Sequence, residues 1–129
     1  MSKLDKESVI GVTALLVHAA NIDENYSDHE KDLVKEFIKS YLKDENSDKI
    51  LKKAEEIEKN SNQLLNYTNI IKQNSLEIKK DIIEHLWKVL ISDNTVDQYE
   101  SNLMRRICGL IYFPDKECAE IKLNLLNSR

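Results

Sequence analysis

The chain has 129 residues, 41% of them hydrophobic and 33% charged, with two glycines, one proline and a formal net charge of −4. That length suits one domain able to bury a core without disulfides or a structural metal, and the shortage of glycine and proline excludes a low-complexity tract or a flexible linker. The acidic balance supplies no basic field for a phosphate backbone, which excludes nucleic acid as a general partner.

Apolar residues recur at spacings of three and four along nearly the whole chain, and alternation with period two is almost absent. The pattern predicts an all-α, single-domain bundle over residues 1–129, of about seven helices at 5–22, 28–42, 47–59, 62–73, 76–92, 98–112 and 115–127. The first contains VIGVTALLVHAA (9–20), apolar around most of its circumference, and is expected in the middle of the bundle. It does not read as a secretory leader, because MSKLDKES ahead of it sets Asp5 and Glu7 beside Lys3 and Lys6. About a dozen apolar residues also fall short of the roughly 20 that span a bilayer. No transmembrane segment is expected, and a cytoplasmic location is.

The second helix opens on Ser27-Asp28-His29-Glu30, a capping box in which the hydroxyl accepts from the amide three residues on while Glu30 reaches back. The third, within KDENSDKILKKAEEIEKN (43–60), alternates charge signs and reads as a solvated face. The fifth repeats the broad apolar character of the first between Ile82 and Ile91, and the sixth opens on a second box, Asp97-Gln98-Tyr99-Glu100. Pro114 begins the seventh, where its missing N–H costs little.

Comparing residue i with i + 70 lays Leu33, Val34, Phe37, Ile38, Tyr41 and Leu42 on Leu103, Met104, Ile107, Cys108, Ile111 and Tyr112. The same offset lays Leu16 and Val17 on Leu86 and Trp87, Asp23 on Asp93, and Glu30 on Glu100. Stripes alone can be slid into agreement, but the matched carboxylates argue for an internal helix-loop-helix pseudo-repeat with units at about 8–42 and 78–112.

Each unit has an acidic corner. The first offers Asp23, Glu24, Asp28 and Glu30, the second Asp93, Asp97 and Glu100. Hard cations want several converging oxygens, and each corner has enough. Neither is an EF-hand, which spreads its ligands over a loop of about a dozen residues around a central glycine. Two readings stand: the corners meet across the repeat axis and share a divalent cation (Ca²⁺, Mg²⁺, Mn²⁺ or Zn²⁺), or their residues cap helices and orient loops. No cofactor is otherwise implied. Cys108 and Cys118 belong to no zinc-ligand pattern and read as buried or half-buried free thiols, as in a reducing compartment. His18, His29 and His85 share no helix face at ligand spacing, and the tyrosines and Trp87 fall at core or cap-adjacent positions. Arg105 and Arg106 sit beside the second corner, where a local salt bridge or an anionic ligand accounts for them. No Gly-rich phosphate loop, nucleophile elbow or His-Glu-x-x-His pattern appears, so the chain is not expected to be an enzyme.

The segments LLVHAANIDENYSDHEKDLVKEFI and HLWKVLISDNTVDQYESNLMRRICGLIYFPDKE, given twice around a helical middle, resemble the TerB-like family. That family takes in tellurite-resistance TerB proteins and the N-terminal domain of membrane-anchored DnaJ-type co-chaperones. The resemblance, over about residues 8–126, implies an all-helical domain, acidic corners suspected of holding divalent cations, and a role in stress-response assemblies rather than catalysis. Glu24 and Asn94 stand where the family loop usually has glycine. The functional expectation is a non-enzymatic interaction or adaptor module that docks protein partners, including membrane-associated stress-response proteins. The alternative is a divalent-cation-binding protein using Asp23, Glu24, Glu30, Asp93, Asp97 and Glu100.

Overall fold

The computed structural model describes residues 5–21, 28–43, 45–60, 68–69, 71–91 and 98–127, the side chains of 98–100 excepted. Among the described residues there are six helices and no strand: α1 (Lys6–Asn21), α2 (Asp28–Tyr41), α3 (Ser47–Asn60), α4 (Leu76–Leu90), α5 (Gln98–Leu110) and α6 (Asp115–Asn127). The expected helix at 62–73 lies largely outside them, although Thr68, Asn69, Ile71 and Lys72 are helical and Thr68 and Ile71 are buried.

Local chemistry sets the helix starts. Asp5 Oδ1 accepts from the Ser8 amide at 2.7 Å, filling one of the orphan N–H groups of α1 and holding its own carboxyl below the usual range. Asn46 Oδ1 serves α3 in the same way, taking the amides of Asp48 and Lys49 at 2.9 and 3.3 Å. Ser75 precedes α4 in extended geometry and accepts from the Ile78 amide at 3.4 Å. The Pro114 carbonyl accepts from the Cys118 amide at 3.1 Å and opens α6. The two capping boxes expected from sequence start at Ser27 and Asp97, both outside the described residues.

α1 is the axis of the molecule. All its residues from Val9 to Ala20 are buried except half-buried His18, and α2, α3 and α4 pack around it. The buried Thr13 hydroxyl is satisfied within the helix by donating to the Val9 carbonyl at 2.6 Å. α4 is the second buried helix, with Ile82, Ile83 and Leu86 at 0% exposure, and it carries the bundle outward onto α6. Each such side chain contributes about 1.5–3 kcal/mol by leaving water, so these two broadly apolar helices dominate the core. α3 buries only Ile50, Leu51 and Ala54 and turns most of its charges outward.

Leu16, Val17, Leu86 and Trp87 are all buried, as are Val34, Phe37, Ile38, Met104, Ile107 and Cys108. The two stripes part company at their ends: Leu42 is half-buried, whereas Tyr112 is exposed. The reason is that α5 stops at Leu110, two residues short of the expected end, and Tyr112 takes φ = 60°, in the left-handed region.

Candidate functional site

Of the six carboxylates singled out by sequence, Asp23, Glu24, Asp93 and Asp97 lie outside the described residues, and Glu100 is placed in the first turn of α5 by its backbone alone. Glu30 is the one with a described side chain. It sits in the first turn of α2 at 5% exposure, engaged with a partner. A carboxylate there is favoured by the positive end of the helix dipole. Asp28 and His29 beside it are exposed.

The structure adds a residue that the sequence did not single out. Glu58, near the end of α3, is drawn to the last turn of α1, where its Oε1 lies 3.4 Å from His18 Nδ1 and its Oε2 accepts from Asn21 Nδ2 at 3.2 Å. The Glu58 side chain is only 16% exposed. Its signal was hidden because Glu58 stands in the charge-alternating run that otherwise faces solvent. Glu58 thus closes the end of α1 from which the first acidic corner departs. Among the described residues no three His, Cys, Asp or Glu side chains converge as a metal would require.

A second polar knot lies between α2 and α4. The Tyr41 hydroxyl donates to Asp81 Oδ2 at 2.6 Å, and Asp81 Oδ1 lies 3.6 Å from His85 Nε2. Phe37 stacks its ring edge-to-face on His85 with centroids 5.1 Å apart, and on Tyr41 at the same distance in a tilted arrangement. Burial pushes the His85 pKa down, helped by Lys88 and outweighing the upward pull of Asp81, Glu36 and Glu84. Asp81 is itself 40% exposed and already accepts from Tyr41, so the ion pair loses to desolvation. The Tyr41 phenol is held firmly protonated by its burial and by Asp81. The knot is a tie between two helices and offers no free nucleophile. Sequence placed Tyr41 at a core or cap-adjacent position but gave no sign that it shares Asp81 with His85.

A family model described as tellurite resistance protein TerB matches residues 9–123. The chain belongs to the TerB family. No curated protein and no solved structure matches it. The positions at which this TerB domain carries Glu24 and Asn94 lie outside the described residues. Among the described residues no helix is long and apolar enough to cross a membrane.

The surface of the TerB domain has one feature that folding alone does not call for. After α5 the chain makes a Schellman closure: the Phe113 amide donates to the Cys108 carbonyl at 2.8 Å and the Tyr112 amide to the Gly109 carbonyl at 3.4 Å. Phe113 is buried and supplies the apolar contact of that motif. The left-handed residue is normally glycine, because a Cβ there costs roughly 1–2 kcal/mol. Here it is Tyr112, whose side chain is 70% exposed and carries Lys72 Nζ 4.7 Å from its ring centroid. Among the described residues Leu76 and Leu123 are also strongly exposed apolar residues, at 55% and 56%.

Proposed function

We propose that this TerB domain is a non-enzymatic interaction module of a stress-response assembly of the tellurite-resistance type, docking a protein partner through the surface around Tyr112. The observation that carries the reading is the exposed aromatic ring at a left-handed backbone position. A large ring in water there gains little burial while its Cβ strains the turn, and strain kept in a native fold is a pointer to function. Tyrosine also brings a rigid, amphipathic contact surface of the kind enriched at protein interfaces. The partner class is a membrane-associated stress-response protein, met by a cytoplasmic, single-domain bundle of seven helices whose units at about 8–42 and 78–112 descend from one helix-loop-helix. The test is affinity purification from the native cell with and without tellurite, using the wild-type chain and Tyr112→Gly. A partner recovered by the wild type and lost by the variant supports the reading; an identical set of proteins with both refutes it.

The second reading, a divalent-cation site built from Asp23, Glu24, Glu30, Asp93, Asp97 and Glu100, draws support from the burial of Glu30 and from Glu58 at the end of α1. Calorimetric titration with Ca²⁺, Mg²⁺, Mn²⁺ and Zn²⁺ tests it, with Asp23→Asn and Asp93→Asn as controls. Saturable binding that both substitutions weaken supports it. Absence of binding below about millimolar, the range of weak calcium modules, removes it.

A further inference from the structure

α4, α5 and α6 line an open pocket of about 560 Å³ that has no part in either reading above. Its wall includes Trp87 from α4, Ser101 and Arg105 from α5, and Asp115, Cys118 and Lys122 from α6. The volume falls in the range of small-molecule pockets, about 300–1,000 Å³. Cys118 is 6% exposed, so the pocket is its route to solvent. Its sulfur accepts a hydrogen bond from Trp87 Nε1 at 3.3 Å and a second from the thiol of Cys108, which is fully buried behind it.

The two thiols are not equivalent. Cys108 is pushed up by its hydrogen bond to Cys118 and by burial, and so keeps its proton. Cys118 is brought down to about 7, first by the Cys108 hydrogen bond and then by the Trp87 N–H and Lys122, against the opposing pull of burial and of Asp115. Lys122 lies one helical turn beyond Cys118, its Nζ 5.3 Å from the Trp87 ring centroid, and Arg105 stands on the facing helix. Among the described residues the charged lining groups are Arg105, Lys122 and Asp115, two cations to one carboxylate. Such a wall repels a free metal cation and attracts an anionic thiol reagent.

We propose that Cys118, with Cys108 as its resolving partner, is a thiol-modification site for low-molecular-weight disulfides that carry carboxylates. The Cys118 thiolate attacks one sulfur of the small disulfide; the S–S bond breaks and its electron pair leaves on the first small thiolate. That thiolate takes the proton given up by Cys108, whose sulfur then attacks Cys118 Sγ, forms the Cys108–Cys118 bond and expels the second small thiolate. The two cysteines are oxidised to one disulfide while the small disulfide is reduced to two thiols. The product ties α5 to α6 and removes the sulfur acceptor of the Trp87 N–H.

The experiment is intact-mass analysis with peptide mapping of the full chain, exposed to oxidised glutathione (anionic), 2-hydroxyethyl disulfide (neutral) or cystamine (cationic). The wild type ends as an internal disulfide, Cys108→Ser stops with one glutathionyl group on Cys118, and Cys118→Ser stays unmodified. Oxidised glutathione reacts fastest and cystamine slowest. Lys122→Gln reduces the preference for glutathione over the neutral reagent about threefold, the effect of one charge some 7 Å away in water. The wild-type rate reaches half its plateau near pH 7 rather than at the ordinary thiol value. First attack at Cys108, indifference to reagent charge, or a half-point at the ordinary thiol pKa each overturns the proposal. Should a cysteine variant fail to fold by circular dichroism, mapping and the pH profile of the wild type decide it alone.

Discussion

Replacing Tyr112 by glycine and, separately, by alanine isolates the strain at the end of α5. Both substitutions remove the ring and with it the contact with Lys72, which for an exposed pair is worth about 0.5 kcal/mol. The ring is 70% exposed, so little buried area goes with it. Glycine then relieves the left-handed strain of a residue held at φ = 60°, a gain of about 1.5 kcal/mol. It gives back about 0.7 kcal/mol through the greater freedom of the unfolded chain. The net for Tyr112→Gly is close to zero, about 0.3 kcal/mol in favour of the variant, whereas alanine keeps the strain and loses about 0.5 kcal/mol. Glycine should therefore exceed alanine by about 0.8 kcal/mol, the reverse of their order inside a helix. Thermal denaturation followed by far-ultraviolet circular dichroism measures both against wild type, and a chain of this size should show a difference of about 3 °C in Tm. An alanine variant as stable as the glycine variant would refute the strain argument. With it would go the observation behind the proposed docking surface.

Gly109 stands in the last turn of α5 with φ outside the left-handed region and open space where a Cβ would be. Gly109→Ala should therefore raise stability by about 0.5–1 kcal/mol, read as a higher urea midpoint at unchanged slope. His85 is held neutral by burial, amid Asp81, Glu84, Lys88 and Glu36, and its folded pKa lies below the unfolded value. Below about pH 6.5 the unfolded chain takes up a proton that the native chain refuses, so stability falls as the pH drops from there toward the folded pKa. His85→Gln should flatten the stability profile between about pH 6.5 and 5, and an unchanged profile would show that another group drives it. Leu86, fully buried in α4, should cost about 2–5 kcal/mol when cut to alanine, with loss of cooperative unfolding as the extreme outcome.

The helical class and most helix limits were legible in the sequence because they depend on neighbours within a turn or two. Asp5, Asn46 and Ser75 accept from amides two or three residues on, and the three-and-four spacing of Val34, Phe37, Ile38 and Tyr41 defines a buried stripe without reference to the rest of the chain. The central place of α1 and α4 was legible for the same reason, since a helix apolar on most sides has to be surrounded. Tyr112 was misread because the apolar stripe counts it as one more core position. A C-terminal closure is announced by glycine, and this one uses tyrosine.

The meetings between distant side chains were decided by tertiary structure alone. His18 reaches Glu58 and Tyr41 reaches Asp81 across 40 residues, and Trp87 reaches Cys118 across 31. Periodicity says which face of a helix is apolar but not which face of which neighbour it meets or at what rotation. Glu58 therefore read as one more solvated charge, and Cys108 and Cys118 as two unrelated thiols. Only when α5 folds back through the Tyr112 turn onto α6 does the Cys108 thiol donate to Cys118 Sγ, which also accepts from Trp87 Nε1. The sequence by itself determined the helices and their buried faces, because these rest on local hydrogen bonding and hydrophobicity. Which polar groups those faces bring together was decided by packing, because that depends on the angles at which the helices cross.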